Sequence, residues 1–494
     1  MKYAKRLAAA LIAAVMLLFT ASCGTDPADA VIYFELSGKP YTLDAQTASD
    51  ENEIVIINNI YEGLLRYNES GAAVCGASES YTVNELVYTF KIKEDLVWSN
   101  GYPLTADDFL FAFQRALSPE TKAPFVSKLF CIKGAKKAYE TGNLSEIGVA
   151  ALDDYTLQIT LEKEDPDFDS VLASAVCMPC NRQFFNECAG KYGLTMENVI
   201  TNGSYELKKW NKDDFGIRIY KSESYSGEYT ANNAAVFMSC VEDESAHKRL
   251  KENKVDIGFL PDTDYTLAKK DGLKIYSSQS TLLVLCVNEK FSPAIRQSFS
   301  KLTSGKVYMN SLKGSYAVAN SLYPAALNVK DTENIGFTVY DLETAQELFS
   351  NAVGTLPDKK FPSSTLYYYD DAYIKDIATA IAGHWQQNIS AFVNIKAEKD
   401  ITILKKALTQ ESEMDFVLVP VNATSSSVSE YLSQYGIDYT NEDPALMQES
   451  LLSGDMVIPI AFSSKHVAYT NSIGRVYGKV ESGQIDFCYT VKKE

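Results

Sequence analysis

Few side chains in this sequence could perform acid–base or nucleophilic chemistry together. The 494 residues include only three histidines, His247, His384 and His466. No HExxH zinc motif, Gly-x-Ser-x-Gly nucleophile motif or phosphate-binding loop occurs in the sequence. A cysteine could meet His466 in the folded chain, but no local motif indicates such a nucleophile–base pair. We therefore predict that the protein is not an enzyme.

The cysteines do not form a pattern typical of a metal or redox site. Cys177 and Cys180 are the only close pair, and Cys188 follows them without a second pair or a nearby histidine. The chain is also much longer than domains that depend on a disulfide framework. The sequence predicts mostly buried free thiols and no metal or other cofactor, and it leaves an occasional disulfide open.

Cys23 follows a segment with the order of a secretory signal. Three basic residues lie among the first six, and an apolar run covers 7–19. That run is shorter than the ~20 residues that cross a bilayer. Small residues then precede the cysteine, as at a cleavage site.

The junction at Cys23 resembles a bacterial lipobox, with Thr20 where an aliphatic residue is usual. The resemblance implies a signal peptide at 1–22, two acyl chains on Cys23 and a polar tether at 23–30. Two acyl chains hold a protein stably on a membrane, whereas one does not. An ordinary cleaved signal with an incidental cysteine is the alternative.

Composition limits the class of protein. The formal charge is −18, and it becomes about −21 without the three basic residues of the signal. Proteins that bind nucleic acid need clustered Lys and Arg, so such a partner is not expected. The length suffices for two or three domains with cores of their own.

Helical and strand patterns alternate along the chain, which indicates an α/β fold. Thr105 begins one predicted helix, with Asp107 and Asp108 in its first turn, and Ser118-Pro119 ends it. Spacing of apolar residues predicts a second helix over 374–389. The predicted strands are 31–36, 86–92, 156–161, 205–210, 216–220, 281–287, 392–395 and 416–421.

Several short motifs occur in a fixed order over nearly all of the chain after the signal. Together they resemble extracellular solute-binding proteins, family 5, and within it the oligopeptide-binding type. The motifs are 61–65 (YEGLL), 88–90 (YTF), 98–101 (WSNG), 103–109 (PLTADDF), 152–157 (LDDYTL), 201–207 (TNGSYEL) with Trp210, 255–258 (VDIG), and Asn288 with Phe291 and 295–297 (IRQ).

The resemblance implies a two-lobed fold of the periplasmic-binding-protein kind (type II, large cluster with an extra subdomain), with a hinge between the lobes. It assigns 31–58, 165–275 and 471–494 to lobe I, 59–164 to the extra subdomain of that lobe, and 276–470 to lobe II.

The implied function is that of a monomeric, lipid-anchored extracytoplasmic receptor. It would bind peptides between its lobes and deliver them to the membrane permease subunits of an ABC transporter. The alternative is a lipoprotein of the same fold that acts as a sensor or surface receptor, with a degenerate pocket and no transport role.

One wall of the implied ligand site is well preserved. Ser49, Asp50, Glu51 and Asn52 occupy the segment that runs beside the ligand in relatives, and Phe125 lies where they often have an aromatic residue. The two carboxylates are candidates to bind a cation. A solvated acidic loop is the alternative interpretation.

The other wall departs from the family pattern. Pro420 and Val421 stand where relatives have Gly-Trp, Asn422 follows, and Thr424 replaces the Asp that binds a peptide's amine. A hydroxyl cannot compensate a buried ammonium as a carboxylate does. We also assign Ser463, on the last strand of lobe II, to the site.

Overall fold

The computed structural model describes residues 30–211, 216–308, 312–409, 413–424, 427–437 and 443–493. Cys23, the signal peptide and all of the tether before residue 30 lie outside the described residues. No described helix combines the length and the apolar composition needed to cross a membrane.

The strands occur throughout the chain, and eight of them correspond to the predicted ones. Their ends differ by one to three residues, except that β12 begins seven residues before the predicted strand at 281–287. In order they are β1 Val31–Glu35, β2 Leu65–Tyr67, β3 Ala73–Cys75, β4 Ser78–Asn84, β5 Val87–Ile92, β6 Val149–Asp153, β7 Thr156–Thr160, β8 Tyr205–Asn211, β9 Gly216–Lys221, β10 Ala235–Ser239, β11 Ile257–Leu260, β12 Lys274–Val287, β13 Ala317–Val318, β14 Ser364–Tyr369, β15 Val393–Glu398, β16 Phe416–Asn422, β17 Val457–Tyr469, β18 Tyr477–Lys479 and β19 Gln484–Asp486.

Most helices connect successive strands, as expected of an α/β chain. They are α1 Glu51–Ile60, α2 Ala106–Leu117, α3 Ala135–Thr141, α4 Phe168–Leu172, α5 Arg182–Glu187, α6 Ala246–Lys251, α7 Asp262–Lys270, α8 Pro293–Leu302, α9 Leu342–Gly354, α10 Ala372–Ile389, α11 Ile401–Lys406, α12 Val428–Ser433 and α13 Pro444–Leu452.

A mixed sheet forms the centre of the molecule. Its strands run β15-β14-β16-β12-β17-β11-β1-β10-β9-β8, and β13 pairs with β17. A separate antiparallel sheet, β4-β5-β7-β6, belongs to the region predicted as the extra subdomain.

Apolar side chains gather into cores that define two lobes. The largest core holds Phe34 and Trp98, and it forms lobe I. Two further cores lie on opposite faces of the same strands: Leu283 points into one and Leu282 into the other. Because side chains alternate along a strand, β12 separates these two cores, and together they form lobe II.

The strands β12 and β17 continue from one lobe into the other. They pair along their length, but the register shifts between Gln279 and Thr281, so Ser280 is an extra residue. An extra residue in one strand bends it and increases its twist. The lobes are therefore joined by two paired strands with a bulge where they leave lobe I.

The cysteines after residue 30 are all free thiols. Cys177, Cys180, Cys188, Cys286 and Cys488 are buried, and Cys75, Cys131 and Cys240 are partly exposed. Burial raises the pKa of the Cys286 thiol to about 12. These groups accordingly behave as small apolar side chains.

Candidate functional site

A cleft with a volume of about 720 Å³ lies between the lobes. Lobe I contributes the start of α1 and the turn that contains Phe125, and lobe II contributes the ends of β14 and β16. The walls comprise Ser37, Ser49, Asp50, Glu51, Asn52, Ile54, Phe125, Lys128, Ser174, Ala175, Val176, Tyr369, Asp371, Thr424, Lys465, Glu481, Ser482 and Gln484. A volume of this size is typical of small-ligand sites.

The beginning of α1 is held rigidly by a capping box. Asp50 accepts hydrogen bonds from the backbone N–H of Asn52 (2.8 Å) and of Glu53 (3.0 Å). Glu53 in turn accepts from the backbone N–H of Ser49 at 2.7 Å. These bonds satisfy orphan donors of the first turn. Asp50 is therefore in the wall of the cleft, and its role in the structure is that of a helix cap.

The carboxylate of Glu51, next to Asp50 in sequence, also has bonding partners. Glu51 accepts a hydrogen bond from the Ser37 hydroxyl at 2.8 Å and pairs with Lys465 of β17 at 3.0 Å. Asn52 accepts from the backbone N–H of Ser37 at 2.9 Å. The segment Ser49–Asn52 thus lies in a network that connects α1, the end of β1 and the strand β17. The side chains of this segment are therefore bonded to neighbouring elements, whereas those of a solvated acidic loop would face water.

Lys128 and Phe125 form the adjoining part of the lobe I wall. They belong to the turn at Val126–Leu129 and the residue before it. The ammonium of Lys128 lies 5.1 Å from the centre of the Phe125 ring, within the range of a cation–π contact. Its ion-pair partner is Glu430 of α12, with Nζ and Oε2 3.6 Å apart. This pair connects lobe I to lobe II.

Thr424 of lobe II lies beside the Glu430 carboxylate that also pairs with Lys128. Its hydroxyl donates a hydrogen bond to Glu430 Oε1 at 2.8 Å. Position 424 therefore lacks a carboxylate of its own but lies directly against one. The sequence does not indicate that Glu430 lies beside Thr424, because the two residues meet only when α12 packs beside the end of β16.

A second contact joins α12 to lobe I. The backbone N–H of Val428 lies close enough to the carboxylate of Asp167 to stabilise its charge. Burial raises the pKa of Asp167 to about 6, and the neighbouring Asp165 adds to the effect. The short helix α12 thus contacts lobe I beside the cleft, in addition to the contact of Lys465 with Glu51.

Asp371 and Tyr369 complete the lobe II wall. Asp371 accepts hydrogen bonds from the backbone N–H of Tyr373 (2.8 Å) and of Ile374 (3.0 Å), and so caps α10. A helix start carries partial positive charge, which stabilises this carboxylate. Two helix starts, those of α1 and α10, therefore face the same cleft.

Six of the predicted ligand-binding residues line the cleft and four do not. The six are Ser49, Asp50, Glu51, Asn52, Phe125 and Thr424. The other four lie outside the walls that the described residues form. Val421 is buried in a lobe II core, and Pro420 pairs with Leu283 within the sheet. Asn422 accepts a hydrogen bond from Thr281, and Ser463 pairs with that threonine on the neighbouring strand.

Other wall residues had no recognisable signal in the sequence. Lys128 is the exception, since it follows Phe125 by three residues and so shares its turn. Tyr369, Asp371, Lys465 and the segment 481–484 reach the cleft through distant strands, and local patterns do not reveal them.

Ser277, His466 and Asp262 form a group that resembles a hydrolytic triad by residue type. His466 Nδ1 lies 2.7 Å from Ser277 Oγ, and Nε2 lies 3.1 Å from Asp262 Oδ1. Asp262 also accepts from the backbone N–H of Ser315, and Tyr265 stacks on the imidazole. These contacts connect β17 to its neighbours, and within the described ranges the contacts of His466 are with Ser277, Asp262 and Tyr265 rather than with a cysteine.

The chain is similar to known peptide-binding proteins along most of its length. It is 24% identical over 496 residues to the dipeptide-binding protein of Lactococcus lactis subsp. cremoris, covering 94% of this chain and 86% of that relative. It is 25% identical to the oligopeptide-binding protein OppA of Bacillus subtilis, covering 76% of this chain and 72% of the relative.

Solved structures establish the fold. OppA of Burkholderia pseudomallei superimposes with a TM-score of 0.75 at 18% identity, covering 94% of this chain and 99% of that one. OppA of Listeria monocytogenes bound to peptide gives a TM-score of 0.74 at 21% identity, with the same coverage. The predicted two-lobed binding-protein fold is confirmed.

The model of "Bacterial extracellular solute-binding proteins, family 5 Middle" matches residues 76–443. This match spans more than half of the chain and includes the motif at 103–109 and the part of lobe II from 276 to 443. The members of this family bind solutes and do not catalyse reactions, in agreement with the prediction from the sequence. The chain belongs to family 5 of the bacterial extracellular solute-binding proteins.

Proposed function

We propose that this protein is a lipid-anchored receptor that binds peptides in the cleft between its lobes and delivers them to the permease of an ABC transporter. The observation that carries the proposal is the cleft itself, whose walls come from both lobes. The relatives named for dipeptide and oligopeptide binding, and the peptide-bound structure, support the ligand class.

The chemistry of the cleft suits a short peptide. Its walls combine aromatic rings, hydroxyl groups, carboxylates and two lysines. A peptide presents both hydrogen-bond donors and acceptors along its backbone, and both kinds of group find partners in such walls. A ligand bound across both lobes would also stabilise their closed arrangement, which a permease can recognise.

The domain division proposed for this function follows the sequence: lobe I from 31–58, 165–275 and 471–494, the extra subdomain from 59–164, and lobe II from 276–470. The bulge at Ser280 supports a hinge close to the boundary at 275, on the lobe II side of it.

Calorimetry with dipeptides to pentapeptides tests the binding proposal. We expect saturable binding by wild type and its loss in Thr424→Trp, because an indole at that position fills the cleft. Thr141→Trp, on the exposed end of α3, is the matched control and should bind as wild type does. Native mass spectrometry of protein purified without denaturation should also detect a retained peptide. Failure of every peptide to bind wild type would contradict the proposal.

The sensor alternative is distinguished by transport. Cells that depend on peptide uptake should lose it when this chain is deleted and regain it with wild type but not with Thr424→Trp. Uptake that is unchanged by the deletion, with binding intact, would favour a receptor without a transport role.

A further inference from the structure

One face of the strands β1, β10 and β9 is partly open to solvent and carries aromatic rings. Tyr33 of β1 and Tyr220 of β9 are 43% and 37% exposed. Phe237 of β10 lies between them, with its ring centre 5.7 Å from each of theirs. The side chains that alternate with these three point into the lobe I core. Contiguous exposed apolar surface of this kind commonly marks a binding site.

Basic side chains surround the aromatic rings. The guanidinium of Arg218 lies 4.7 Å from the centre of the Phe237 ring, and the ammonium of Lys492 lies 5.1 Å from the centre of the Tyr33 ring. Lys221, at the end of β9, is exposed. Aromatic rings together with Lys and Arg are typical of surfaces that lie at a membrane interface, where the rings enter between the headgroups and the cations face phosphates.

The local charge is opposite in sign to that of the whole chain. A shallow hollow of about 860 Å³ over β8 and β9 is lined by four basic and two acidic side chains, namely Lys208, Lys209, Arg218 and Lys221 with Glu206 and Glu223. These described residues carry a net charge of +2, whereas the full sequence carries −18. The segment 212–215, between β8 and β9, lies outside the described residues and is not counted. A basic area on an acidic protein favours a partner with negative charge.

The start of β1 connects this area to the lipid anchor of the proposed function. Val31 pairs with Ala235, which pairs in turn with Tyr220, so Tyr220 is two strand spacings, about 10 Å, from the start of β1. Seven peptide steps separate Cys23 from residue 30. Such a length of chain spans at most about 25 Å. With acyl chains on Cys23, the tether would keep Tyr220 within roughly 35 Å of the bilayer.

We propose that this basic–aromatic face, formed by Tyr33, Arg218, Tyr220, Lys221 and Phe237, docks on anionic headgroups of the membrane that holds the lipid anchor. Each basic side chain near such a surface strengthens binding by about fivefold. A patch of this size orients an anchored protein and does not replace the anchor. The cleft lies beyond the other end of β1, so docking and ligand binding use different surfaces. This inference rests on the lipid anchor of the proposed function.

The full lipidated protein in vesicles tests the proposal. Tyr220→Trp places an indole on the basic–aromatic face, and spin-labelled headgroups quench its fluorescence on contact; the native tryptophans are buried. We expect stronger quenching on vesicles of phosphatidylcholine with phosphatidylglycerol than on phosphatidylcholine alone. The excess should be lost in about 1 M salt, where the Debye length is about 3 Å, while flotation shows that the protein stays on the vesicles. Adding Arg218→Thr and Lys221→Thr should remove the same excess.

Tyr367→Trp in the same vesicles is the matched control. Tyr367 also has a lysine beside its ring, Lys396 at 5.2 Å, but β14 lies near the other end of the sheet. Its indole should be quenched equally on both kinds of vesicle. Equal quenching of Tyr220→Trp on both kinds, or an excess that Tyr367→Trp reproduces, would overturn the inference and leave the anchor intact.

Two other outcomes would also overturn the inference. Protein that does not float with either kind of vesicle would show that the anchor fails, and the inference with it. A dimer that light scattering detects in detergent, and that Arg218→Thr with Lys221→Thr abolishes, would assign the basic–aromatic face to a second copy of this chain.

Discussion

Lys128 and Glu430 face each other across the cleft, with Nζ and Oε2 3.6 Å apart, although they belong to different lobes. Their side chains are 6% and 17% exposed, so water screens the pair little. The pair lies beside the contact of Asp167 with the first residue of α12. It therefore contributes to holding the two lobes together.

Replacing Glu430 by Gln should open the ligand-free protein. The substitution leaves a buried ammonium without its charge partner, and such unpaired charges are unfavourable. We expect a larger radius of gyration in X-ray scattering than for wild type. The double variant Lys128→Met with Glu430→Gln removes both charges and should be more compact than the single variant. Equal radii for all three proteins would show that the pair does not affect closure.

Replacing Arg115 by Met should strongly destabilise lobe I. Arg115 of α2 is 8% exposed and binds Asp44 through both terminal nitrogens and Gln46 at 2.7 Å. Removing one partner of such a buried pair costs about 3–5 kcal/mol. Urea unfolding would measure the change.

Arg182→Met provides the comparison for Arg115→Met. Arg182 pairs with Asp107, but their side chains are 40% and 50% exposed. Exposed pairs contribute about 1 kcal/mol or less. A loss of similar size in the two variants would contradict the assignment of a special role to the buried pair.

Asp108 should make stability depend on pH between about 4 and 6. Burial raises its pKa from 3.8 to about 6, although Thr105, Trp98 and Asn181 all donate hydrogen bonds to its carboxylate. Because the pKa is higher in the folded state, this contribution to stability is fully present below pH 3.8 and is lost as pH rises through 6. The corresponding free energy is roughly 2–3 kcal/mol.

The measurement for Asp108 is the difference in unfolding free energy between wild type and Asp108→Asn at pH 4 and pH 7. Wild type should lose stability relative to the variant as the pH rises. Asp107→Asn is the control and should follow wild type, because its carboxylate is half exposed. A difference that stays constant with pH would mean that Asp108 is ionised throughout this range.

Replacing Cys23 by Ser should release the protein from the membrane. Acyl chains attach to the cysteine sulfur, so serine removes the attachment site and the variant should no longer incorporate labelled fatty acid. Fractionation should recover it away from the membrane, whereas wild type stays with the membrane. Undiminished labelling of the variant would show that Cys23 is not the site of acylation.

The sequence by itself determined the local features of this protein. Thr105 with Asp107 and Asp108 predicted the start of a helix, and α2 begins there with a capping box formed by Thr105 and Asp108. Apolar patterns located eight of the nineteen described strands, because successive side chains of a strand face opposite sides of the sheet. The order of the family motifs predicted the two-lobed fold, and the same comparison identified Thr424 as a departure.

The tertiary structure decided which charges meet in the cleft. Glu51 and Lys465 are 414 positions apart in sequence, and Lys128 reaches Glu430 only because α12 packs against lobe I. Periodic patterns in the sequence do not reveal such pairs. They depend on how the two lobes pack on either side of the paired strands β12 and β17. Pro420, Val421, Asn422 and Ser463 fell outside the walls for the same reason: the position of a residue on a strand does not specify which face of the packed sheet borders the cleft.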